Sequence, residues 1–293
     1  LSTAPFMMSA SNDRNRTLLF SLNFGLQTLA GFVGNLFAGQ LPAWFAQRLG
    51  VGAESAEAYQ AVLLASLFCG ALMLIPIFFI REARWPGSTH MPPLSWAELK
   101  QLVRPAVIKL AIPNAIIGFG AATLIPYMNV FFKTRFAIAD SRLGALFSLS
   151  AITIGVASII GPRLADHLGK IKAVVVTQGA SLLFLLMLGF APSFPLAALA
   201  FLVRGALMNM SNPLYSAFSM EQVSEHERGA VNSMLQMMWE IGWTIGPYLS
   251  GVVQQRYGFT PLFLSTATLY GIAIWLTWTF FGGVEAQQAS EKA

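Results

Sequence analysis

Long apolar runs alternate with short polar segments along the whole chain, at residues 18–46, 60–80, 104–132, 142–165, 171–192, 194–219, 228–254 and 260–283. A helix rises about 1.5 Å per residue, so roughly 20 apolar residues cross about 30 Å of hydrocarbon. Each run reaches that length. Lipid offers no partner to a free backbone N–H or C=O, so a spanning segment has to satisfy itself as a helix or within a closed barrel. Barrel strands would alternate in character over about ten residues, and these runs do not. The pattern predicts an all-α membrane protein, a polytopic helical bundle with about eight complete transmembrane helices. Leu1–Ala10 reads as a stub of a further span ahead of them.

Within the runs, polar side chains recur at helical spacing. Ser233, Gln236, Glu240, Thr244 and Tyr248 are spaced by three or four, which puts them on one face with Trp239 and Trp243 beside it. Such a stripe through a membrane helix reads as the wall of a water-lined pathway. Asn114, Gly118, Ala122, Pro126 and Asn129 form a second stripe. Pro126 frees a backbone carbonyl, which predicts a kink or a contact with substrate. The 194–219 run carries Arg204, Met208, Ser211 and Tyr215 on one face, and Asn209 with Asn212 on another. By contrast 171–192 and 260–283 look apolar nearly all round, as expected of peripheral helices facing lipid.

Arg204 and Glu240 are the charged residues deep within runs. A charge at a helix centre costs about 2.5–3.5 kcal/mol on insertion scales, so each needs a partner, a cavity or a proton. Their spans run antiparallel, with a depth offset of about 8 Å by helical rise, within reach of an Arg side chain. The pair is either a salt bridge that locks two helices or part of a proton and substrate pathway.

Charge between the runs sets the expected orientation. One set of loops holds twelve Lys and Arg residues and the alternate set five, so the first set is cytoplasmic, and with it the 284–293 tail. The longest loop, 81–103, contains Ser95-Trp96-Ala97-Glu98, a capping-box pattern opening either a short amphipathic surface helix or a plain linker.

Composition narrows the function. The chain is 55% apolar and 11% charged, where a soluble domain carries about 25% charged residues. The mean hydropathy is +0.61. The net charge of +5 is scattered in pairs between runs, with no basic face interleaved with aromatics, which argues against nucleic acid. The single cysteine, Cys69, excludes an intrachain disulfide. Phosphate loops, Gly-x-Ser-x-Gly and HExxH are absent, and His90, His167 and His226 read as separate loop residues. An enzyme, a cofactor and a metal site are therefore not expected.

An internal repeat points further. Arg16-Thr17-Leu18-Leu19-Phe20-Ser21 parallels Arg228-Gly229-Ala230-Val231-Asn232-Ser233. Glycines follow each Arg at eighteen residues, Gly34 and Gly246, and at twenty-three, Gly39 and Gly251. These read as helix-packing glycines. Pro5 and Pro213 precede the two copies. A fixed separation of 212 residues indicates duplication of a half.

With this repeat, the chain resembles the major facilitator superfamily, whose members comprise two six-helix halves. Gly161-Pro162-Arg163-Leu164-Ala165-Asp166-His167-Leu168-Gly169-Lys170-Ile171-Lys172 is similar to the family's cytoplasmic loop motif, and Phe136–Gly144 to its outer turn. The resemblance implies residues 1–80 as the remainder of the N-terminal half, 81–103 as the inter-half loop and 104–283 as the C-terminal half. Three helices and most of a fourth would precede Leu1 in the full-length chain. It further implies a multi-pass protein of the plasma or inner membrane, surrounded by lipid and moving a small-molecule substrate by alternating access, with protons as the coupling ion and a lean to efflux. The expected pathway residues are Arg204, Glu240, Gln236, Thr244, Tyr248, Asn114, Asn129 and Tyr215. Asp166 is expected either at the N-terminus of the helix near Leu18, joining the halves, or capping the helix from Ile171. Asn35 stands where drug–proton antiporters carry proline, so symport, uniport and a non-transporting sensor or scaffold stay open.

Overall fold

The computed structural model describes residues 13–75, 104–224 and 227–292, with side chains between 26 and 283. Pro5, the Leu1–Ala10 stub and the Ser95–Glu98 capping box lie outside the described residues. The elements are α1 (Asp13–Leu49), α2 (Ala56–Leu72), α3 (Pro105–Leu124), a 3-10 turn (Ile125–Tyr127), α4 (Met128–Phe136), α5 (Asp140–Leu168), α6 (Lys170–Gly189), α7 (Phe194–Glu221), α8 (Arg228–Tyr257) and α9 (Thr260–Lys292). All regular structure among the described residues is helical, and each apolar run yields a helix.

Pro126 breaks the 104–132 run. Its ring cannot donate to the α-helical ladder, so the chain tightens into the 3-10 turn and restarts as α4. His167 closes the last turn of α5 instead of standing in a loop. A single residue, Gly169, turns the chain from α5 into α6 at φ 87°, a backbone conformation that a side chain would strain. This also settles the cap of α6: the N-cap is Gly169, with no side-chain cap, so Asp166 does not cap it.

Among the described residues, five helices are long and apolar enough to cross a membrane: Pro105–Phe136, Asp140–Leu168, Lys170–Gly189, Phe194–Glu221 and Thr260–Gly283. Helices α1 and α8 have the length but carry more polar residues, while α2 is apolar over 17 residues. The protein is an all-α, multi-pass membrane protein. Its surface agrees, since Leu67 and Leu183 are each 70% exposed and Trp275 63%. Hydrocarbon solvates such side chains at no cost, whereas water would not.

Two compact units form. The first gathers the described part of Leu1–Pro93 with Ala139–Ala151, and the second the described part of Leu94–Ile138 with Ile152–Ala293. In the first, α1 and the start of α5 approach backbone to backbone. A Cβ on Gly39 would lie 2.7 Å from the Asp140 carbonyl and 2.8 Å from Gly144 Cα. Ser148 Oγ donates to Phe32 O at 2.8 Å, and Tyr59 Oη to Asp140 Oδ2 at 2.7 Å. This contact explains why the opening turns of α5 group with α1 and α2 although they follow α4 in sequence.

In the second unit α7 packs on α6, α8 on α3, and α9 on both α3 and α6. Lipid tails are as apolar as leucine, so close packing and interhelical hydrogen bonds hold such helices together. One end contains Val107, Leu110, Ile171, Phe218, Val231, Leu235 and Phe281. Elsewhere Phe131 meets Phe132, Phe259 and Phe263 edge-to-face at 4.9–5.5 Å, the favoured arrangement for aromatic quadrupoles. Helix α9 is not apolar all round. It buries Thr266 and Tyr270, and Thr266 Oγ1 donates to Gly120 O at 3.2 Å.

Candidate functional site

Four helices of the second unit wall a cavity of about 250 Å³. Asn114 and Ile117 come from α3, Gln178 from α6, Asn212, Tyr215 and Ser216 from α7, and Asn232, Leu235, Gln236 and Trp239 from α8. Consecutive helices run antiparallel, so side chains eight or nine residues inside the ends near 105, 170, 221 and 228 share one depth. That depth is about 12–14 Å at helical rise. Five of the ten lining residues are carboxamides, and none carries a formal charge.

The lining is held by bonds to neighbouring backbone. Asn114 Nδ2 donates to Leu235 O at 3.0 Å, and Tyr215 Oη to Leu110 O at 2.7 Å. Gln236 Nε2 donates to Glu240 Oε1 at 2.9 Å, one helical turn along α8. The acidic side chain thus stands one hydrogen bond from the lining, itself exposed. Thr244 returns its hydroxyl to Glu240 O at 2.9 Å, and Tyr248, 75% exposed, lies a turn beyond.

Of the pathway residues expected from sequence, Asn114, Tyr215 and Gln236 line the cavity, and Glu240 adjoins it. Asn129 does not: it is exposed on α4, with Oδ1 accepting from Val130 N. The α3 stripe serves mainly as a packing seam. A Cβ on Gly118 would meet the Trp239 ring at 2.9 Å, and one on Gly246 would meet Ala122 Cβ at 2.7 Å. Small residues let the two backbones approach this closely.

Arg204 and Glu240 do not pair. Arg204 is 6% exposed, and its Nη2 donates to Tyr270 Oη at 3.0 Å on α9. Its guanidinium lies 5.8 Å from the Tyr270 ring centre, and Nε has no partner among the described residues. Helical rise fixes height and not azimuth: Arg204 points toward α9, Glu240 away from the packed face of α8. Arg204 therefore belongs to the packed interior and not to the lining. Tyr270→Phe leaves Nη2 without this bond at a cost of about 1–3 kcal/mol, which a lowered melting temperature in detergent should register.

Sequence reading missed Gln178 most plainly. Helix α6 looked peripheral, yet Thr177, Gln178 and Ser181 are all buried. Three polar residues within five positions of an apolar run were the available signal. The loop-motif residues cluster at the same end of the unit. Gly161 packs against Met210, and Lys170 forms an ion pair with Glu221. Lys172 and Asp166 are exposed. The expected partner of Asp166, the helix start near Leu18, has its side chains outside the description. Among the repeat glycines, Gly39 and Gly246 make close contacts and Gly251 meets Tyr127 Oη at 3.1 Å. Gly34 does not pack: a Cβ there meets nothing within 4 Å.

A second ion pair joins the starts of α3 and α8, Arg104 Nη2 to Glu227 Oε2 at 2.8 Å. The Ser224 hydroxyl, then the Ser224 amide and Arg104, hold the Glu227 carboxyl below its ordinary 4.5 against partial burial. A carboxyl depressed on folding stabilises fully above its unfolded value and loses that contribution as pH falls through the folded one. Thermal scans should therefore show Glu227→Gln less stable than wild type at pH 7, with the difference vanishing on acidification well below pH 4.5.

A model of the Major Facilitator Superfamily matches residues 110–293. The Multidrug resistance protein MdtG of Proteus mirabilis is 26% identical over 96% of this chain and 76% of its own length. The MdtG of Dickeya zeae is 27% identical over 88% and 69%. Among solved structures, a bacterial homologue of the iron transporter ferroportin, in an inward-facing state, superposes with a TM-score of 0.70 at 15% identity, covering 94% of this chain and 66% of that one. A bacterial homologue of the lysosomal transporter Spinster gives 0.62 over 93% and 71%. The chain thus spans about two thirds of the ferroportin homologue's length, and at these identities the structures show the fold alone. With the family model matching more than half its residues, the chain belongs to the major facilitator superfamily of secondary transporters.

Proposed function

We propose that the full-length protein moves a small organic solute across the cell membrane by alternating access, driven by protons, with export the favoured direction and the C-terminus in the cytoplasm. The observation that carries this reading is the Gln236–Glu240 hydrogen bond, which places a protonatable group beside an uncharged cavity deep within the helices. A carboxyl is a group able to carry the proton that a coupled carrier exchanges. The multidrug-resistance names of the two relatives favour export. The Lys and Arg bias of the loops supports the orientation.

The test is solute-dependent proton movement in vesicles containing the full-length protein. Solute added on the side with the lower proton concentration should drive counterflow of protons under export by antiport. Proton movement in the same direction as solute would favour symport instead. Solute flux with no proton movement would overturn the coupling.

A further inference from the structure

A second hollow, separate from the cavity, opens on the lipid-facing side of the second unit. Leu168 from the last turn of α5, Lys172, Val175 and Val176 from α6, and Trp278 from α9 line a groove of about 380 Å³. Lys172, Val175 and Val176 stand at i, i+3 and i+4, so they share one face of α6. Gln178, which lines the cavity, comes two residues after Val176, about 200° round the helix. Groove and cavity therefore lie on opposite sides of α6. Val176 is 55% exposed, and Leu168 and Trp278 are exposed with it. A Cβ on Gly282 would lie 3.1 Å from the Trp278 ring, so the ring rests back against its own helix and forms a flat wall of the groove.

Depth divides the lining into two parts. Helix α6 has 20 residues, which at helical rise is about 30 Å, one hydrocarbon thickness. Lys172, its third residue, stands where hydrocarbon gives way to headgroups, and Val175 and Val176 lie about one turn further in. Trp278 falls near the end of the Thr260–Gly283 span, the level at which an amphipathic indole sits.

We propose that this groove is a binding site for an anionic phospholipid, with an acyl chain along Val175, Val176 and the Trp278 ring and the headgroup phosphate at Lys172 Nζ. Leu168, Val175 and Val176 offer no hydrogen-bonding side chain, so a polar solute would lose hydration there without replacement. An acyl chain has no hydration to lose. At this depth a lysine keeps its stem on apolar surface and sends its ammonium to the headgroups. No acidic residue is among the five that line the groove, and Lys170, which pairs with Glu221, is not among them either. Phosphatidylcholine carries its own cation beside the phosphate, which offsets attraction to Lys172. Phosphatidylglycerol carries none, so the site selects net negative charge. Binding here is independent of the transport reading.

The probe is phosphatidylglycerol brominated in its acyl chains, compared with phosphatidylcholine brominated in the same way, because bromine quenches tryptophan on contact. Full-length protein is reconstituted in unbrominated phosphatidylcholine vesicles holding the same minor fraction of one or the other. The Trp278 contribution is the wild-type signal minus that of Trp278→Phe. One lysine at the headgroup level corresponds to about a fivefold preference, so phosphatidylglycerol should quench Trp278 at about one fifth the lipid fraction that phosphatidylcholine requires. Lys172→Gln should bring that preference to near one and leave quenching by phosphatidylcholine unchanged. Val176→Phe narrows the groove with the charge in place, and should lose the preference as well. A preference retained in Val176→Phe would mean attraction at the surface without a seated chain, and would overturn the site. So would equal quenching by the two lipids in wild type, or a preference unchanged in Lys172→Gln. Quenching by neither lipid would mean that protein covers the groove, which also overturns it. Should Trp278→Phe fail to fold, native mass spectrometry of wild type and Lys172→Gln decides on the same contrast. Phosphatidylglycerol adducts outlasting phosphatidylcholine adducts in wild type alone would support the site, and any other pattern would not survive it.

Discussion

Replacing Glu240 with glutamine is expected to abolish proton-driven accumulation of solute while leaving the protein folded and downhill exchange within about threefold of wild type. The side chain is exposed and its carboxylate accepts one bond, from Gln236, so an amide of the same shape removes the charge at little cost to packing. What is lost is the exchangeable proton. A gradient of one pH unit supplies about 1.4 kcal/mol per proton, a tenfold concentration ratio, and the variant should fall to a ratio near one. Accumulation that survives Glu240→Gln unchanged would remove it as the carrier. Loss of both accumulation and exchange would assign it a role in solute binding. Arg204→Ala should behave differently, impairing both activities, because Arg204 bonds Tyr270 inside the bundle and its loss loosens α7 against α9.

Alanine at the repeat glycines should give effects of opposite sign. Helix propensity alone favours Ala over Gly by about 1 kcal/mol. At Gly34 nothing stands within 4 Å of a new Cβ, so Gly34→Ala should be neutral or stabilising. At Gly39 the Cβ would meet backbone, the Asp140 carbonyl and Gly144 Cα, at under 3 Å. At Gly246 it would meet Ala122 Cβ at 2.7 Å and the Ala122 carbonyl carbon at 3.0 Å. Backbone cannot rotate away as a side chain can, so helices must separate, at about 1–3 kcal/mol. Gly39→Ala and Gly246→Ala should therefore lower the melting temperature in detergent and Gly34→Ala should not. Indistinguishable melting of Gly34→Ala and Gly39→Ala would refute the close approach of α1 and α5.

These glycines also mark how far a repeat can be read. Gly34 and Gly246 occupy the same register, as do Gly39 and Gly251. Yet the closest backbone approach falls at Gly39 in the first copy and at Gly246 in the second. Equivalent sequence positions face different neighbours: Gly39 meets the start of α5, and Gly246 meets α3. The repeat fixed where close packing is permitted. Which permission is used depends on the partner helix.

The same division runs through the site. Three of the ten lining residues, Asn114, Tyr215 and Gln236, were picked out as pathway residues by polar spacing within apolar runs. Gln178 was not, since α6 reads as lipid-facing when judged by its average character and not by the Thr177–Ser181 cluster. Arg204 and Glu240 were singled out by the cost of burying charge; Arg204 is buried and bonded to Tyr270, while Glu240 is exposed and bonded to Gln236. They do not pair, because a helical position gives depth by arithmetic but direction only through the helix against which it packs.

Sequence by itself determined the class of the protein. Apolar runs of membrane length, backbone groups that must be satisfied within them and the Pro126 break follow from local chemistry and periodicity. Tertiary structure alone decided which polar side chains meet. It turned Arg204 to Tyr270, brought the start of α5 to Gly39, and gathered amides from four helices around one cavity. The physical reason is that period and hydropathy constrain each helix about its own axis, while the rotation of one helix against another is set by interhelical contacts that no single segment encodes.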